Sequence, residues 1–132
     1  WVKLKKAHAT LDVVVVAVEY GHGRRSHVLS DYTFALRDER GGLLVVGKAY
    51  SGLTDAEIAS LTPRFKELAL RQRGNRLEVR PEIVLEVAFD AIRESPRHAS
   101  GLALRFPRIK RLRPDKTVDE IDTVATARRL LG

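Results

Sequence analysis

The segment Leu11 to Tyr20 constrains the fold of this chain more than any other part of the sequence. Five of its residues are valine, a β-branched residue that packs well on a pleated surface. Its apolar run, Val13 to Val18, has the length of a strand and is far too short to cross a membrane. We therefore predict a buried strand over Leu11–Tyr20 and a mainly β fold around it.

Two further segments are predicted to be strands, and the first of them shows the alternation of apolar and polar residues that is typical of a strand. They are Ser30–Arg37 and Leu43–Tyr50, and the Gly41-Gly42 pair between them is suited to a tight turn. We expect these two segments to form a β-hairpin.

The second half of the chain contains two more extended segments. Ile83–Ile92 alternates over the longest stretch and is predicted to be the longest strand, with Glu86 and Asp90 on a solvated sheet face. Leu102–Arg113 is predicted to be extended but broken at Pro107, because proline cannot donate a ladder hydrogen bond. Arg71 to Gly74 is predicted as a basic loop.

Two capping boxes indicate where helices begin. The first spans Thr54–Glu57 and precedes an apolar stripe at helical spacing, although Pro63 predicts a kink or an early stop near Thr62. The stripe consists of Ile58, Leu61, Phe65 and Leu68. The second box, Thr117–Glu120, is predicted to open a C-terminal helix whose apolar side is formed by Val118, Ile121, Val124 and Ala125.

The order of these elements favours one architecture among the mainly β folds. About five strands, with one helix inserted after the third, are expected of a five-stranded OB-fold barrel, here followed by a C-terminal helix. A generic mixed α+β domain fits the same pattern. At 132 residues, the chain has room for a single core in either case.

The charge of the chain bears on its partners. Its 24 Lys and Arg against 17 Asp and Glu give a formal net charge of +7, which favours a polyanionic partner. Arginine-rich residue usage alone would give the same count without any function. Cysteine is absent, which excludes disulfides, thiolate zinc sites and cysteine nucleophiles. The histidines share no metal-ligand spacing, so we predict no metal site.

The most informative segment is Arg105–Lys116. Five of the residues between positions 105 and 113 are basic, and on charge alone a solvated basic face is the alternative. Their order is Arg-Phe-Pro-Arg at 105–108 and Arg-x-Asp-Lys at 113–116. This order resembles the sixth motif of the covalent nucleotidyltransferases, which include ATP-dependent DNA ligases and mRNA capping enzymes. The Arg-Phe-Pro-Arg opening resembles the DNA ligases in particular.

The rest of the chain carries the same resemblance in the same order. Trp1–Lys6 resembles the fifth motif of the superfamily, in which strand alternation sends Lys3 and Lys5 to one face, although a frayed, charged terminus is the alternative. Leu11–Val15, running into Gly21–Arg25, resembles the first strand and loop of ligase OB domains, and Gly47–Asp55 resembles the third strand and the start of the inserted helix. The closest likeness is to bacterial and archaeal ligases of modest size.

The resemblance implies a division of the chain and a missing part. Residues 1–10 are expected to be the end of an adenylation domain and a hinge, and residues 11–132 an OB-fold DNA-binding domain. Ala7–Thr10 departs from the Asp-Tyr-Leu that often follows the fifth motif, which leaves the hinge residue undetermined. Methionine is absent, and so is the Lys-x-Asp-Gly motif that holds the adenylated lysine. We therefore expect a piece of a longer ligase that is inactive alone.

The resemblance also assigns roles toward ATP. Lys3, Lys5, Arg113 and Lys116 are expected to bind its phosphates. The predicted catalytic set is Lys3, Lys5, Arg111, Arg113, Asp115 and Lys116. Asp115 would orient Arg113 or Lys116 or contact a metal-bound water, and a plain ion pair is the alternative. In the full-length enzyme the expected cofactors are ATP and Mg²⁺.

A second set of residues is expected to contact nicked double-stranded DNA. It consists of Gly21, Gly23, Arg24, Arg25, Lys48, Arg105, Phe106 and Arg108. The alternative for Gly21–Gly23 is a simple tight turn. Phe106 is expected to enter the minor groove beside the nick, but it could equally be a core residue that follows Leu102 and Leu104.

The resemblance therefore predicts the OB-fold domain of an ATP-dependent DNA ligase, acting with its adenylation domain in DNA repair or replication. The expected location is the cytoplasm of a bacterium or archaeon, associated with the nucleoid. The alternative is a free-standing nucleic-acid-binding OB module. Such modules stack bases on aromatic side chains, and the aromatic content of 6% weighs against it.

Overall fold

The computed structural model describes residues 10–21, 23, 28–50, 52–96, 98 and 100–130. Within these ranges the strands are β1 (Thr10–Tyr20), β2 (Leu29–Arg37), β3 (Leu43–Ala49), β4 (Ala69–Arg73), β5 (Arg76–Val79), β6 (Val84–Ala88), β7 (Ala91–Glu94), β8 (Leu102–Arg105) and β9 (Arg108–Leu112). The helices are α1 (Asp55–Leu68), a 3-10 helix (Val118–Glu120) and α2 (Val124–Leu130). The prediction of a mainly β fold with an inserted helix after the third strand and a C-terminal helix is confirmed.

Strand β1 is the centre of the sheet. It pairs with β2 along one edge, while along its other edge its first half pairs with β6 and its second half with β5. The sheet continues outward to β3 beyond β2, to β4 beyond β5 and to β9 beyond β6. A bulge between Val15 and Ala17 bends β1. A single valine-rich strand therefore connects all parts of the curved sheet.

Strands β7 and β8 form a separate two-stranded ladder. Within the described residues, β8 lies beside β3 without a ladder between them. Just before β8, the Ser100 hydroxyl donates to the Val45 carbonyl on β3 at 2.8 Å. The pairings therefore approach a barrel without closing one.

The main core lies between the inner face of the sheet and α1. Val13, Val15 and Val18 of β1 are fully buried against side chains such as Phe34 and Phe65. The predicted stripe of α1 is buried, and its capping box at Thr54–Glu57 is formed. The inserted helix thus closes the core with the residues that its periodicity indicated.

Helix α1 continues through Pro63, so the predicted stop near Thr62 is absent. The Thr62 hydroxyl donates to the Ile58 carbonyl at 2.8 Å and accepts from the Leu29 amide at 3.1 Å. Beyond the proline, Phe65 and Leu68 are buried. Packing of this last turn therefore offsets the hydrogen bond that proline removes.

Three local predictions were wrong, each because tertiary pairing decides the outcome. The basic loop at Arg71–Gly74 is mostly strand, because β4 pairs with β5. The single strand predicted at Ile83–Ile92 is two strands, because β6 pairs with β1 and β7 with β8. The second capping box forms at Thr117 but opens only the 3-10 helix. Beyond it, the backbone of Asp122 bonds to β1 instead of continuing a helix.

Gly52 fixes the loop before α1 against β9. Its φ is +115°, and a Cβ built on it would lie 1.8 Å from the Ile109 carbonyl oxygen. Only glycine permits this backbone-to-backbone approach. The contact places the end of β3 beside the strand that leads to residues 111–116.

We predict that Gly52→Ala lowers the free energy of unfolding by more than about 4 kcal/mol, because a carbonyl must move to admit the methyl group. Gly74→Ala is the matched control: its φ is +59° and its Cβ would meet nothing within 4 Å. It should cost about 1–2 kcal/mol, from the left-handed backbone alone. Urea unfolding of both variants measures the difference, and equal losses would show that the loop moves freely from Ile109.

Candidate functional site

Three charged side chains form a row across three neighbouring strands. Asp12 on β1 lies opposite Glu86 on β6, and Glu86 lies opposite Arg111 on β9. Arg111 Nε donates to Glu86 Oε1 at 2.6 Å, and the Thr10 hydroxyl donates to Glu86 Oε2 at 2.9 Å. Two carboxylates that face each other across strands repel. The row therefore needs more positive charge than Arg111 supplies.

The Arg-x-Asp-Lys segment supplies that charge. Arg113 Nη1 lies 3.7 Å from an Asp12 oxygen and 3.6 Å from a Glu86 oxygen, so it bridges the two carboxylates. Asp115 accepts from Arg113 Nε at 3.1 Å and from Nη2 at 3.0 Å, a bidentate pair. Lys116 Nζ bonds to Asp12. We call these six residues the ion-pair cluster: Asp12, Glu86, Arg111, Arg113, Asp115 and Lys116.

Contacts within the cluster shift the pKa values of four of its members. Burial raises the pKa of Glu86, but hydrogen bonds from Arg111 and Thr10 outweigh it and hold the pKa below its ordinary value. The hydrogen bond from Arg113 lowers the pKa of Asp115, and the same bond raises the pKa of Arg113. The hydrogen bond to Asp12 raises the pKa of Lys116. For these four residues, the contacts of the cluster therefore favour the charged form.

The segment after the cluster anchors Asp12. The Asp122 carboxylate accepts from the Asp12 amide at 2.7 Å, and the Asp122 amide donates to the Asp12 carbonyl at 3.0 Å. Beside them, a second small core packs on the outer face of the sheet, formed by Val14, Ala35, Val84 and Ile121. Ile121 and Asp122 thus lie over β1 and fix the position of Asp12, whose carboxylate Lys116 contacts.

The sequence indicated four of the six members and missed two. Arg111, Arg113, Asp115 and Lys116 are brought together as a group. Asp12 received no role, and the interpretation of Glu86 as part of a solvated face was wrong, since Glu86 is 8% exposed. The available signal was a carboxylate between apolar neighbours on a buried strand, which requires a partner. Asp115 contacts Arg113, as both the predicted orienting role and the alternative of a plain ion pair require.

A groove with different chemistry lies near the other end of β1. Its volume is about 360 Å³. It is lined by Thr33, Val45, Gly47, Lys48, Arg76, His98, Ala103, Leu104 and Pro107. Its cations share one acid: Glu19 lies 3.1 Å from Arg76 and 4.0 Å from Lys48. Lys48 is exposed on β3, so the groove is open to an anionic ligand.

The Arg105–Arg108 turn adjoins the groove through Pro107, which lines it. Phe106 is 62% exposed and has a φ of +53°, a conformation that L side chains rarely adopt. The Arg105 guanidinium lies 5.1 Å from the centre of its ring. Arg108 donates to the Phe106 carbonyl and to Asp90, both at 3.1 Å. The core interpretation of Phe106 was therefore wrong, because the turn holds the ring outward.

Several predicted residues add little to this geometry. Gly21 donates its amide to the Val28 carbonyl at 3.2 Å, and Gly23 has a φ of +60°. The remaining predicted contacts lie outside the described residues: Lys3, Lys5, Arg24 and Arg25. Residues 1–10, which are expected to contain the end of an adenylation domain and the hinge, also lie outside them except for Thr10.

The ion-pair cluster and the groove are separated by the length of one strand. Asp12 lies near the start of β1 and Glu19 near its end, roughly 20 Å apart at the usual rise per residue. Within the described residues, no group of three or more His, Asp or Glu side chains could hold a metal ion. No described helix is long and apolar enough to span a membrane.

Comparisons with known proteins agree on one family. The family described as ATP dependent DNA ligase C terminal region matches residues 25–116. A probable DNA ligase of Opitutus terrae is 66% identical over 98% of this chain and 13% of its own length. DNA ligase 1 of Korarchaeum cryptofilum is 47% identical over 98% of this chain and 24% of its own length. The chain thus spans a quarter or less of these relatives.

Solved structures show the same likeness. The ligase domain of LigD from M. tuberculosis superposes with a TM-score of 0.71 and 25% identity, over 87% of this chain and 38% of that one. A mycobacterial DNA ligase D complexed with ATP and MES superposes with a TM-score of 0.67 over 88% of this chain and 38% of that one. At 23% identity, the second match supports the fold alone.

We predict that Glu86→Gln lowers the free energy of unfolding by about 1–3 kcal/mol at pH 7, because Arg111 loses its charged partner and Arg113 loses one of its three. The folded-state pKa of Glu86 lies below its unfolded value, so its contribution is present above that value and is lost as pH falls through the acidic range. Denaturant unfolding between pH 7 and pH 3 measures this dependence. The variant should lose less stability than the parent on acidification; parallel curves would contradict the assignment.

Proposed function

Because the chain belongs to the family of C-terminal regions of ATP-dependent DNA ligases, we propose that it binds nicked duplex DNA and completes the ATP site of such an enzyme. One observation carries this proposal: cations suited to phosphate occupy two distinct surfaces, the ion-pair cluster and the groove. Phosphodiester bond formation has two anionic reactants, ATP and DNA. One surface would serve each.

The ion-pair cluster would serve ATP. Phosphoryl transfer depends mainly on positioning and on neutralising charge as it develops on phosphate oxygens. Arg113 and Lys116 are each held by a carboxylate, which reduces the freedom that these long side chains lose when they bind an anion. They would neutralise the departing pyrophosphate, with Arg111 beside them. Lys3 and Lys5 would neutralise the α-phosphate from the adenylation-domain side.

Asp115 would act as a positioning residue. Its carboxylate accepts both hydrogen bonds of the Arg113 fork and stays ionised, so it would repel a phosphate placed against it. The other carboxylates of the cluster also accept from Lys or Arg and do not fit direct coordination of a metal. Mg²⁺ would accompany ATP, since Mg²⁺ in such sites is held largely by substrate phosphates and water.

The groove would serve DNA. Lys48, Arg105 and Arg108 are exposed near it, and contacts of this kind bind phosphates without reading sequence. Phe106 would act as the apolar wedge that widens the minor groove beside the nick. Gly21 and Gly23 would let the backbone approach a phosphate, with Arg24 and Arg25 adding charge.

The two surfaces imply rotation of the domain between steps. An adenylation domain of the same enzyme would face the ion-pair cluster while ATP reacts and would face the groove while the nick is sealed. A short hinge can produce such a motion, and Lys6–Thr10 is the candidate. The chain lacks the Lys-x-Asp-Gly lysine, so it would act only with that domain. In a bacterial or archaeal cell, the DNA that this domain binds would be that of the nucleoid.

We predict that Lys116→Ala, in a full-length ligase that carries this domain, slows self-adenylation by about 10²–10³-fold, the usual loss when one charge-stabilising donor is removed. Sealing of pre-adenylated nicked DNA should change little, since pyrophosphate has already left. Single-turnover assays of each step provide the measurement. Lys66→Ala, an exposed lysine on α1, is the control. A larger loss in sealing than in adenylation would overturn the role of Lys116.

We predict that Phe106→Ala leaves self-adenylation intact and slows nick sealing about tenfold, the equivalent of about 1.4 kcal/mol, because the wedge is removed. Phe106→Leu keeps an apolar side chain and should retain most of the sealing rate. The same two assays apply, with unfolding midpoints measured for each variant. Equal loss of both steps would point to a folding defect and away from DNA distortion.

A further inference from the structure

The β4–β5 hairpin presents an exposed basic surface that the ligase resemblance leaves without a role. Strand β4 is an edge of the sheet, and its residues 70–73 are all exposed. In the pairing with β5, Arg73 lies opposite Arg76, and Arg71 lies opposite Glu78. Directly opposed side chains of an antiparallel pair point to the same face. Arg71 and Arg73 therefore share a face with Arg76.

That face continues the groove. Arg76 lines the groove and bonds to Glu19 at 3.1 Å and to the Thr33 hydroxyl at 3.3 Å. Arg73 is the next side chain outward in the same row, and Arg71 follows one strand repeat further along β4. A polyanion lying in the groove would meet these two arginines next.

The cations of the groove have an acidic partner, whereas two arginines of the hairpin have none among the described residues. Arg76 and Lys48 share Glu19, while neither Arg71 nor Arg73 has an ion-pair partner within the described part of the chain. Arg73 and Arg76 also face each other as like charges, which is unfavourable unless an anion lies near both. The hairpin carries one acid, Glu78, opposite Arg71.

A second explanation must be separated from DNA binding. Charged residues on an edge strand prevent it from pairing with another chain, and Leu70 on the same strand is 66% exposed. Edge protection requires charge of either sign. Phosphate binding requires positive charge. Only phosphate binding therefore predicts that these arginines contribute to the salt dependence of DNA binding.

We propose that Arg71 and Arg73 extend the DNA-binding surface beyond the groove and contact backbone phosphates of the duplex away from the nick. This inference rests on the proposed function of the groove. Each contact releases counterions from the DNA, so each arginine contributes to the salt dependence of binding.

The test compares double variants of the 132-residue chain. Arg71→Ser with Arg73→Ser removes the hairpin contacts. Lys48→Ser with Arg105→Ser removes groove contacts. Arg40→Ser with Arg129→Ser removes the same charge from exposed positions on the β2–β3 turn and α2, outside both surfaces. Fluorescence anisotropy with a labelled nicked duplex, over a series of salt concentrations, gives the slope of log K against log salt. Sedimentation reports self-association.

The hairpin variant should reduce that slope by roughly 2, about one for each phosphate contact, while the control variant keeps the parent slope. If the hairpin variant matches the control while the groove variant loses affinity, the inference fails and the proposed function of the groove stands. If neither differs from the control, the proposed DNA-binding face fails as well. A hairpin variant that self-associates with an unchanged slope would identify edge protection as the role of these arginines and overturn the inference.

Discussion

The position of Arg113 between Asp12 and Glu86 is the interaction on which the other features of this domain depend. Two carboxylates that face each other on β1 and β6 are unfavourable on a largely buried sheet, and the guanidinium lies within 4 Å of both. Residues 113–116 lie against the sheet because Arg113 supplies the positive charge that the two carboxylates require. Asp115 then pairs with Arg113, and Lys116 pairs with Asp12. The Arg-x-Asp-Lys segment is therefore held by the same contacts that stabilise the centre of the fold.

The two cationic surfaces differ in a way that suits two different ligands. In the ion-pair cluster, every cation has a carboxylate partner and a fixed position, which suits a reaction that depends on alignment. In the groove, Lys48 and Arg76 share Glu19, and on the β4–β5 hairpin Arg71 and Arg73 are exposed and have no ion-pair partner among the described residues, which suits binding driven by counterion release. Strand β1 carries one surface near each end, so the length of a single strand sets their separation.

The sequence predicted what depends on local pattern and missed what depends on register. The valine-rich strand, the β2–β3 hairpin and the stripe of α1 follow from periodicity, and the cations of residues 111–116 follow from their order. Asp12 and Glu86 could not be paired in advance, because their contact depends on the alignment of β1, β6 and β9. The strand at Arg71–Arg73 was missed for the same reason: nothing local in an exposed, polar segment indicates its pairing with β5.

The most direct test of the central claim, that this domain completes the ATP site of a ligase and holds its DNA, is reconstitution. The 132-residue chain would be mixed with a separately expressed ligase adenylation domain, ATP, Mg²⁺ and nicked duplex DNA, and both enzyme adenylation and sealed product would be measured. We expect the chain to restore both steps to an adenylation domain that performs them poorly alone. An adenylation domain that is folded yet gains neither step, while the chain still binds DNA, would contradict it and favour a free-standing nucleic-acid-binding OB module.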